Sequence, residues 1–243
     1  MDSSGAFAEA TGRTLEGASN QPRYRRYQFD LISPHCGRSV LEVGAGLGEF
    51  AAQFRSLRRL VLTDVDPGAV EVMRRTFADR PEVEARQFDV GAKLELGEPV
   101  ESVVAINVLE HIDDDAGALR SLARLIEPGG SIVLWVPGYQ QLYGEFDRKV
   151  GHVRRYTPAT LADAVRRAGL GVELVKPVNL LGGIAWWLAV RKGGAGTPNP
   201  RLVAVYDRFV VPVTRAIERV VRPPFGQSVL CVARKPPTEA EAG

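Results

Sequence analysis

The sequence has little of several features that define other classes of protein. It contains 2 cysteines, Cys36 and Cys231, which are too few and too far apart for a disulfide framework or a cysteine zinc cluster. Neither sign of charge dominates, because 31 basic and 29 acidic residues give a formal net charge of +2. This balance lacks the electrostatic signature of a nucleic-acid-binding protein, so we expect no nucleic-acid partner. Two separate thiols suit a reducing compartment, and we predict a cytoplasmic protein.

Long hydrophobic runs are also absent. The longest apolar stretch, residues 178–190, is too short and too rich in glycine to cross a bilayer, although it can touch a membrane surface. Residues 1–22 lack the charged start and apolar centre of a signal peptide, and we predict a flexible leader there. We expect one domain over residues 23–235 and a disordered tail over residues 236–243.

What the sequence does contain is a regular alternation of strand and helix patterns. Buried-strand patterns fall at residues 39–43, 59–63, 83–88, 102–107, 131–136, 172–176 and 227–234. Helix patterns fall at residues 24–33, 48–55, 67–78, 113–127, 157–168, 179–191 and 202–221. Residues 138–156 are predicted to form a polar loop. Such alternation predicts an α/β fold with a doubly wound, mostly parallel sheet covered by helices on both faces.

The first strand leads into a glycine turn at Gly44, Gly46 and Gly48. Glycines permit a sharp turn and let a ligand lie against the backbone. The glycine fingerprint of dinucleotide-binding proteins has a small residue at its sixth position, where this chain has Glu49. In addition, Glu42 at the end of the strand would repel the pyrophosphate of a dinucleotide. Both residues therefore argue against a dinucleotide ligand. A carboxylate at that place suits a ligand with positive charge and no phosphate, as in S-adenosylmethionine.

Two further carboxylates follow the next strands. Asp64 ends the second strand, where a carboxylate can accept hydrogen bonds from both hydroxyls of a ribose. Asp89 ends the third strand, where it can accept the adenine amino group; a plain loop aspartate is the alternative. Because the carboxyl ends of parallel strands share one edge of the sheet, we expect Glu42, Asp64 and Asp89 to form one ligand site.

Together these motifs resemble those of the class I S-adenosylmethionine-dependent methyltransferases. The resembling segments are 42–48, 64, 88–90, 105–111 and 127–130. The resemblance implies a Rossmann-like seven-stranded sheet with an antiparallel last strand, S-adenosylmethionine as cofactor, and small-molecule methyltransferases of a bacterial subgroup as relatives. It implies cofactor-binding roles for Tyr24, Glu42, Gly44, Ala45, Gly46, Gly48, Asp64, Val65, Asp89, Val90, Asn107, Val108 and Leu109.

A helical insertion between the sixth and seventh strands, about residues 177–226, is longer than such a fold requires. Its segment with Trp186 and Trp187 is apolar on several sides. One interpretation is a helix packed over the end of the sheet, and the other is a pocket for a lipophilic small molecule. We therefore predict methyl transfer to a small molecule, with O-methylation as the first hypothesis.

A hydroxyl acceptor needs a general base, and the candidates are His111, His152 and Tyr156. His111 follows the fourth strand, where a purely structural contact is the alternative. For His152, the alternative is a hydrogen bond to Asp147 that orders the loop. Tyr156 can donate to the substrate or simply pack. No metal site is predicted, because the adjacent acids at 113–115 point in different directions and are better explained as helix caps.

Two other classes of function compete with methyl transfer. A nicotinamide-dependent oxidoreductase uses a similar sheet, but Glu42 and Glu49 argue against it. A non-catalytic scaffold that retains the cofactor fold is the other alternative, and the intact motifs argue against that one.

Overall fold

The computed structural model describes residues 21–92, 94–191 and 200–237. Its strands are β1 (Ser39–Val43), β2 (Arg59–Asp64), β3 (Val83–Gln87), β4 (Val100–Ile106), β5 (Ile126–Pro137), β6 (Gly171–Val178) and β7 (Ser228–Arg234). They form one seven-stranded sheet in the order β3-β2-β1-β4-β5-β7-β6. This order confirms the predicted fold class.

The strand directions show which edge of the sheet is suited to bind a ligand. β1 runs parallel to β2 and β4, with Val43 opposite Thr63 on one side and Ala105 on the other. β7 runs antiparallel between β5 and β6. The chain order reverses between β1 and β4, which is the position where open α/β sheets bind their ligands.

Helices cover both faces of the sheet. They are α1 (Pro22–Ile32), α2 (Pro67–Thr76), α3 (Asp115–Ala123), α4 (Glu145–Val150), α5 (Pro158–Arg167), α6 (Leu180–Arg191), α7 (Pro200–Val205) and α8 (Val211–Glu218). One apolar core lies under α3 and α5, and a second lies under α1, α2 and α8. The strand side chains alternate between these two cores, so β1, β4 and β5 are buried throughout most of their length.

Three predicted elements differ in the structure. The helix expected over residues 48–55 is only a 3-10 turn at Ala51–Gln53, because Gly48 has φ +78° and the chain is already extended at Phe54. The helix expected over residues 113–127 ends at Ala123, since the chain already pairs in β5 from Ile126. The loop expected over residues 138–156 contains α4.

The insertion between β6 and β7 consists of α6, then α7, a π-helix (Tyr206–Val210) and α8. The last three elements follow without a break where one helix was predicted over residues 202–221. The two ends of the insertion meet, because the Gln227 amide donates to the Asn179 carbonyl at 3.0 Å. No helix among the described residues is long and apolar enough to cross a membrane.

The predicted leader and tail lie mainly outside the described residues. Pro22, placed in the leader by the sequence, is the first residue of α1. Residues 192–199, within the insertion, also lie outside the described ranges.

Candidate active site

The glycine turn after β1 has the backbone conformation that the sequence indicated. Gly44, Gly46 and Gly48 all have positive φ, at 68°, 57° and 78°. A Cβ at Gly44 would lie 2.6 Å from the Val108 side chain, so the end of β4 closes against the turn. The turn is held to β2 because the Ala45 amide donates to the Thr63 carbonyl at 2.9 Å. Its backbone therefore forms a narrow, fixed cradle.

Asp64 lies beside this turn and supports it. One carboxylate oxygen accepts a hydrogen bond from the Gly46 amide at 2.9 Å, and the other accepts from the Asp66 amide at 3.0 Å. Each oxygen of a carboxylate has a second acceptor position, so two remain for ribose hydroxyls. The nearby Asp66 has a different function, because its side chain caps α2 through the Gly68 amide.

Glu42 is the buried acid of the site. Its side chain is 3% exposed, and its Oε2 atom accepts no hydrogen bond. Burial, reinforced by the negative charge of Asp64, raises the pKa of Glu42 to about 8. A buried acceptor without a donor is unfavourable unless a ligand supplies one. The positively charged end of S-adenosylmethionine is a group of the required sign.

The remaining cofactor candidates lie along the same edge. Asp89 is exposed after β3 and accepts from the Gly91 amide at 3.0 Å. Val65 is 42% exposed, whereas Val90 and Leu109 are buried. Asn107 is exposed at the end of β4 with φ 54°, a conformation that few residues other than glycine adopt.

The helix α1 reaches the glycine turn from outside. Arg25 forms an ion pair with Glu49, and the Gln53 side chain donates to the Arg25 carbonyl at 3.2 Å. Tyr24, the residue before Arg25 in the same helix, has its ring edge-on to that of Trp135, with the ring centroids 6.2 Å apart. Burial raises the pKa of Tyr24. Thus α1 covers the turn, while Tyr24 packs toward β5.

Two of the candidate bases come together beyond β4. The rings of His111 and His152 lie 4.7 Å apart at 74°. The Nδ1 atom of His152 lies 2.7 Å from the Asp147 carboxylate. This is the loop-ordering hydrogen bond that was the alternative to a general-base role for His152. Burial, together with the nearby ring of His152, lowers the pKa of His111 to about 4. His111 is therefore neutral at ordinary pH, and it is a weak base there.

A buried ion pair holds His152 in place. Asp147 is fully buried and receives two hydrogen bonds from Arg155, at 2.8 and 3.0 Å. It also accepts from the Gly144 amide at 2.8 Å, which fixes the start of α4. Although burial alone would raise it, the hydrogen bonds from His152 and Arg155 hold the pKa of Asp147 below its usual range.

Glu110 completes this cluster and was missed by the sequence analysis. It is 0% exposed, neither of its carboxylate oxygens accepts a hydrogen bond, and one lies 3.7 Å from His152 Nε2. Burial raises the pKa of Glu110 to about 8. The only signal in the sequence was its position directly before His111.

The same cluster has the atom types of a metal site, which the sequence analysis did not predict. The ligand atoms of Glu110, His111 and His152 all lie within 4.8 Å of one another. The Arg155 guanidinium, however, brings a fixed positive charge to Asp147, the group that orients His152. Asp147 is thus held in its own ion pair and is not one of the three clustered ligand residues.

Tyr156, the third candidate base, lies in the core. It is 2% exposed, and its hydroxyl donates toward Asp115 at 3.2 Å and lies 3.4 Å from the Leu109 carbonyl. Arg154 also bonds to Asp115, at 3.1 Å, instead of facing a substrate. The structure thus matches the packing alternative for Tyr156, and Arg154 stabilises the same region through Asp115. Asp114 caps α3, as predicted for the acids at 113–115.

An apolar cavity of about 370 Å³ lies between the segment after β5 and the insertion. It is lined by Tyr139, Gln141, Leu142, Ile184, Trp187 and Phe225. Trp186 connects it to the rest of the site, because its indole donates to the Leu142 carbonyl at 2.9 Å and packs edge-on against Phe146. Phe146 in turn lies edge-on to His152. Trp186 therefore packs between the site and the insertion, and Trp187 faces the cavity.

Comparison with known proteins identifies the class of this fold and site. The sequence profile of a methyltransferase-domain family matches residues 17–175, and the chain belongs to that family. Together with the glycine turn and its acids, this makes the chain a class I S-adenosylmethionine-dependent methyltransferase, with S-adenosylmethionine as its cofactor.

The chain is similar in sequence to several bacterial proteins. It is 29% identical over 169 residues to a probable S-adenosylmethionine-dependent methyltransferase of Mycolicibacterium smegmatis, covering 66% of this chain and 64% of that protein. It is 27% identical over 162 residues to a ubiquinone biosynthesis O-methyltransferase of Paracidovorax citrulli, covering 59% and 68%. An uncharacterised transposon protein of Streptomyces fradiae is 29% identical, and the match spans 45% of its length and 63% of this chain.

Solved structures show the same fold at low sequence identity. A putative methyltransferase bound to the Haloferax volcanii Trm112 activator has a TM-score of 0.65 at 16% identity, with 95% of this chain and 96% of that chain covered. The N-methyltransferase NodS of Bradyrhizobium japonicum, in complex with S-adenosyl-L-homocysteine, has a TM-score of 0.56 at 15% identity, with 89% of both chains covered.

The raised pKa of Glu42 predicts that cofactor affinity depends on pH. Only the ionised carboxylate attracts the cofactor's positive charge, so we expect the Kd for S-adenosylmethionine to fall roughly tenfold between about pH 6 and pH 7. This window lies below both the folded Glu42 pKa of about 8 and the pKa of about 8 at which the cofactor's own α-ammonium loses its charge. Calorimetric titration in buffers with different ionisation heats would measure both the Kd and the proton released. Glu42→Gln should bind with little pH dependence, and an equal wild-type Kd at both pH values would contradict the assignment.

Proposed function

We propose that the protein transfers the methyl group of S-adenosylmethionine to a hydroxyl of a lipophilic small molecule, with His111 as the proton acceptor. The observation that carries this proposal is the cluster of His111 and His152 at the end of β4, which Phe146 and Trp186 connect to the wall of an apolar cavity. The ubiquinone biosynthesis O-methyltransferase among its relatives supports oxygen as the methylated atom.

The cofactor supplies a methyl group on a sulfonium, which is already a good leaving group. Asp64 and the glycine turn would hold its ribose, Asp89 its adenine, and Glu42 its positively charged end. These groups fix the position of the cofactor at the carboxyl ends of β1 to β4. Positioning of this kind, with exclusion of water, provides most of the rate in a displacement reaction.

The acceptor's proton is the part of the reaction that needs a base. His111 is neutral because its pKa is about 4, and it lies three residues after Val108, which touches the glycine turn. Its ring can therefore receive the hydroxyl proton as the oxygen attacks the methyl carbon. Asp147 orients His152, and His152 packs edge-on against His111. We infer that this pair fixes the ring of His111.

The cavity gives the acceptor its chemical class. Its lining is aliphatic and aromatic except for Gln141 and the hydroxyl of Tyr139, so it suits a molecule with a large apolar part. A single hydroxyl on such a molecule would then be directed toward the histidines. Neither a charged nor a strongly polar acceptor has matching partners in this lining.

The test uses S-adenosylmethionine labelled on its methyl group, incubated with the protein and a bacterial extract. We expect the label in organic-soluble small molecules and its release only under conditions that cleave methyl ethers. Asp64→Asn should raise the Kd for the cofactor roughly 100-fold, because two charge-assisted hydrogen bonds are weakened. Asp66→Asn is the matched control, since asparagine also caps a helix.

Three outcomes would contradict the proposal. Label confined to protein or nucleic acid would exclude a small-molecule acceptor. Label in a product stable to ether cleavage would place the methyl group on nitrogen or carbon. A wild-type protein that binds the cofactor tightly yet transfers no label, in extracts from several bacterial species, would favour the scaffold alternative.

A further inference from the structure

The continuous helical segment formed by α7, the π-helix and α8 has an unusual outer face. Within residues 200–222, every exposed residue is either apolar or an arginine. The apolar members include Leu202, Val205, Phe209, Val213 and Val220, which are 68%, 53%, 59%, 51% and 84% exposed. The exposed outer faces of helices in soluble proteins are usually charged or polar. Exposed apolar patches of this kind mark surfaces that interact with proteins or membranes.

The exposed residues form two parallel stripes. The apolar side chains recur every three or four residues along the helical segment, which places them in one row. The exposed arginines of the segment are Arg201, Arg208, Arg219 and Arg222. They flank this row, and the Arg208 guanidinium lies over the ring of Phe209 at 5.6 Å. An apolar row bordered by arginines is typical of helices that lie in the interface of a lipid bilayer.

The two acids of the segment, Asp207 and Glu218, point away from this outer face. Asp207 is buried, and its carboxylate accepts from the amides of Arg23 and Tyr24 at 3.2 and 2.8 Å. Glu218 accepts from the Tyr27 hydroxyl and from the Leu180 amide. Both acids thus serve to attach the segment to α1 and α6. The outer face is left with positive charge alone.

We propose that this face, defined as the exposed residues of 200–222, binds the surface of an anionic lipid membrane. The arginines match negatively charged lipid headgroups, and the apolar row would enter the region just below them. A second copy of the chain is a poorer partner, because a symmetric contact would bring arginines against arginines. The exposed side chains of α6, Ile184 and Leu188, extend the apolar surface toward the cavity.

The test is binding of the full chain to vesicles, measured by co-sedimentation without cofactor or acceptor. This measurement does not depend on methyl transfer, so its failure and that of the proposed function are separate results. We expect binding to vesicles of phosphatidylcholine with phosphatidylglycerol, and at least tenfold weaker binding to phosphatidylcholine alone. Raising the salt concentration should weaken the first interaction.

Variants identify the face. Phe209→Ser with Val213→Ser, and separately Arg208→Glu with Arg219→Glu, should each lower the vesicle partition coefficient at least tenfold. The matched control is Val72→Ser with Arg124→Glu, which changes an exposed valine and an exposed arginine outside this face. Unchanged S-adenosylmethionine affinity would show that each variant is folded. Equal loss in the control, or no binding of the wild type to anionic vesicles, would overturn the proposal. Self-association abolished by the same variants, without vesicle binding, would overturn it in favour of a second copy.

Discussion

Asp147→Ala is expected to destabilise the protein by about 3–5 kcal/mol, because it leaves the Arg155 guanidinium buried without its partner. Arg155 is 8% exposed, and it packs over the ring of Trp186. The change also removes the acceptor for the Gly144 amide and for His152. The measurement is the free energy of unfolding from a urea titration at neutral pH.

The matched control is Asp163→Ala. Asp163 also pairs with an arginine, but its side chain is 68% exposed, so the change should cost less than about 1 kcal/mol. Replacing both Asp147 and Arg155 by apolar residues of similar size should recover much of the loss. A value for Asp147→Ala within about 1 kcal/mol of the wild type would show that this ion pair does not hold the loop.

The pH dependence of this effect has a definite sign. The pKa of Asp147 is lower in the folded protein than in the unfolded chain. Its ion pair therefore contributes fully above the unfolded pKa of about 4, and the contribution is lost as pH falls through the folded pKa. The difference in unfolding free energy between wild type and Asp147→Ala should shrink in acid.

The second large effect concerns the reaction rate. We expect His111→Ala to lower kcat by roughly 10²–10⁴, the usual contribution of a general base, while the Kd for S-adenosylmethionine stays near the wild-type value. The rate is measured with the acceptor that methyl labelling identifies. Because the pKa of His111 is about 4, the wild-type rate should not fall between pH 7 and 6 through protonation of this ring.

His35→Ala is the control for this experiment. His35 is the remaining histidine of the three in the chain. It lies near Glu173, at the end of the sheet opposite the candidate active site. The same substitution there should leave kcat unchanged. Added imidazole should restore part of the His111→Ala rate, a response that a purely structural residue would not give. If kcat and cofactor affinity fell together and imidazole had no effect, His111 would be a structural residue.

The sequence predicted the centre of the sheet well because β1, β2 and β4 are short, mostly buried and largely apolar. β1 begins and ends where the pattern placed it, and the glycine turn with Asp64 follows from local chemistry alone. The helix over residues 48–55 was predicted wrongly because its apolar residues have helical spacing. The positive φ of Gly48 depends on the turn being folded back against β2, which spacing does not reveal.

The histidine cluster could be predicted only in part from the sequence. His111 and His152 were each recognised as candidates, but nothing local shows that they meet. They meet because the Val153 amide donates to the Glu110 carbonyl, which binds the segment after α4 to the end of β4. The burial of Glu110, which raises the pKa of its carboxyl group, likewise comes from distant parts of the chain. Long-range pairing of this kind is not encoded in spacing.

The antiparallel direction of β7 has a consequence for how such enzymes can be re-engineered. Because β6 ends where β7 begins, Val178 and Ser228 are direct partners in the sheet. The Asn179 and Gln227 side chains also bond across this point at 2.7 Å. The insertion between them is thus a module with adjacent ends, and a transplanted segment of different length could replace it without changing the strand register. Such an exchange would replace the proposed membrane-binding face together with the part of the cavity wall that Ile184, Trp187 and Phe225 supply.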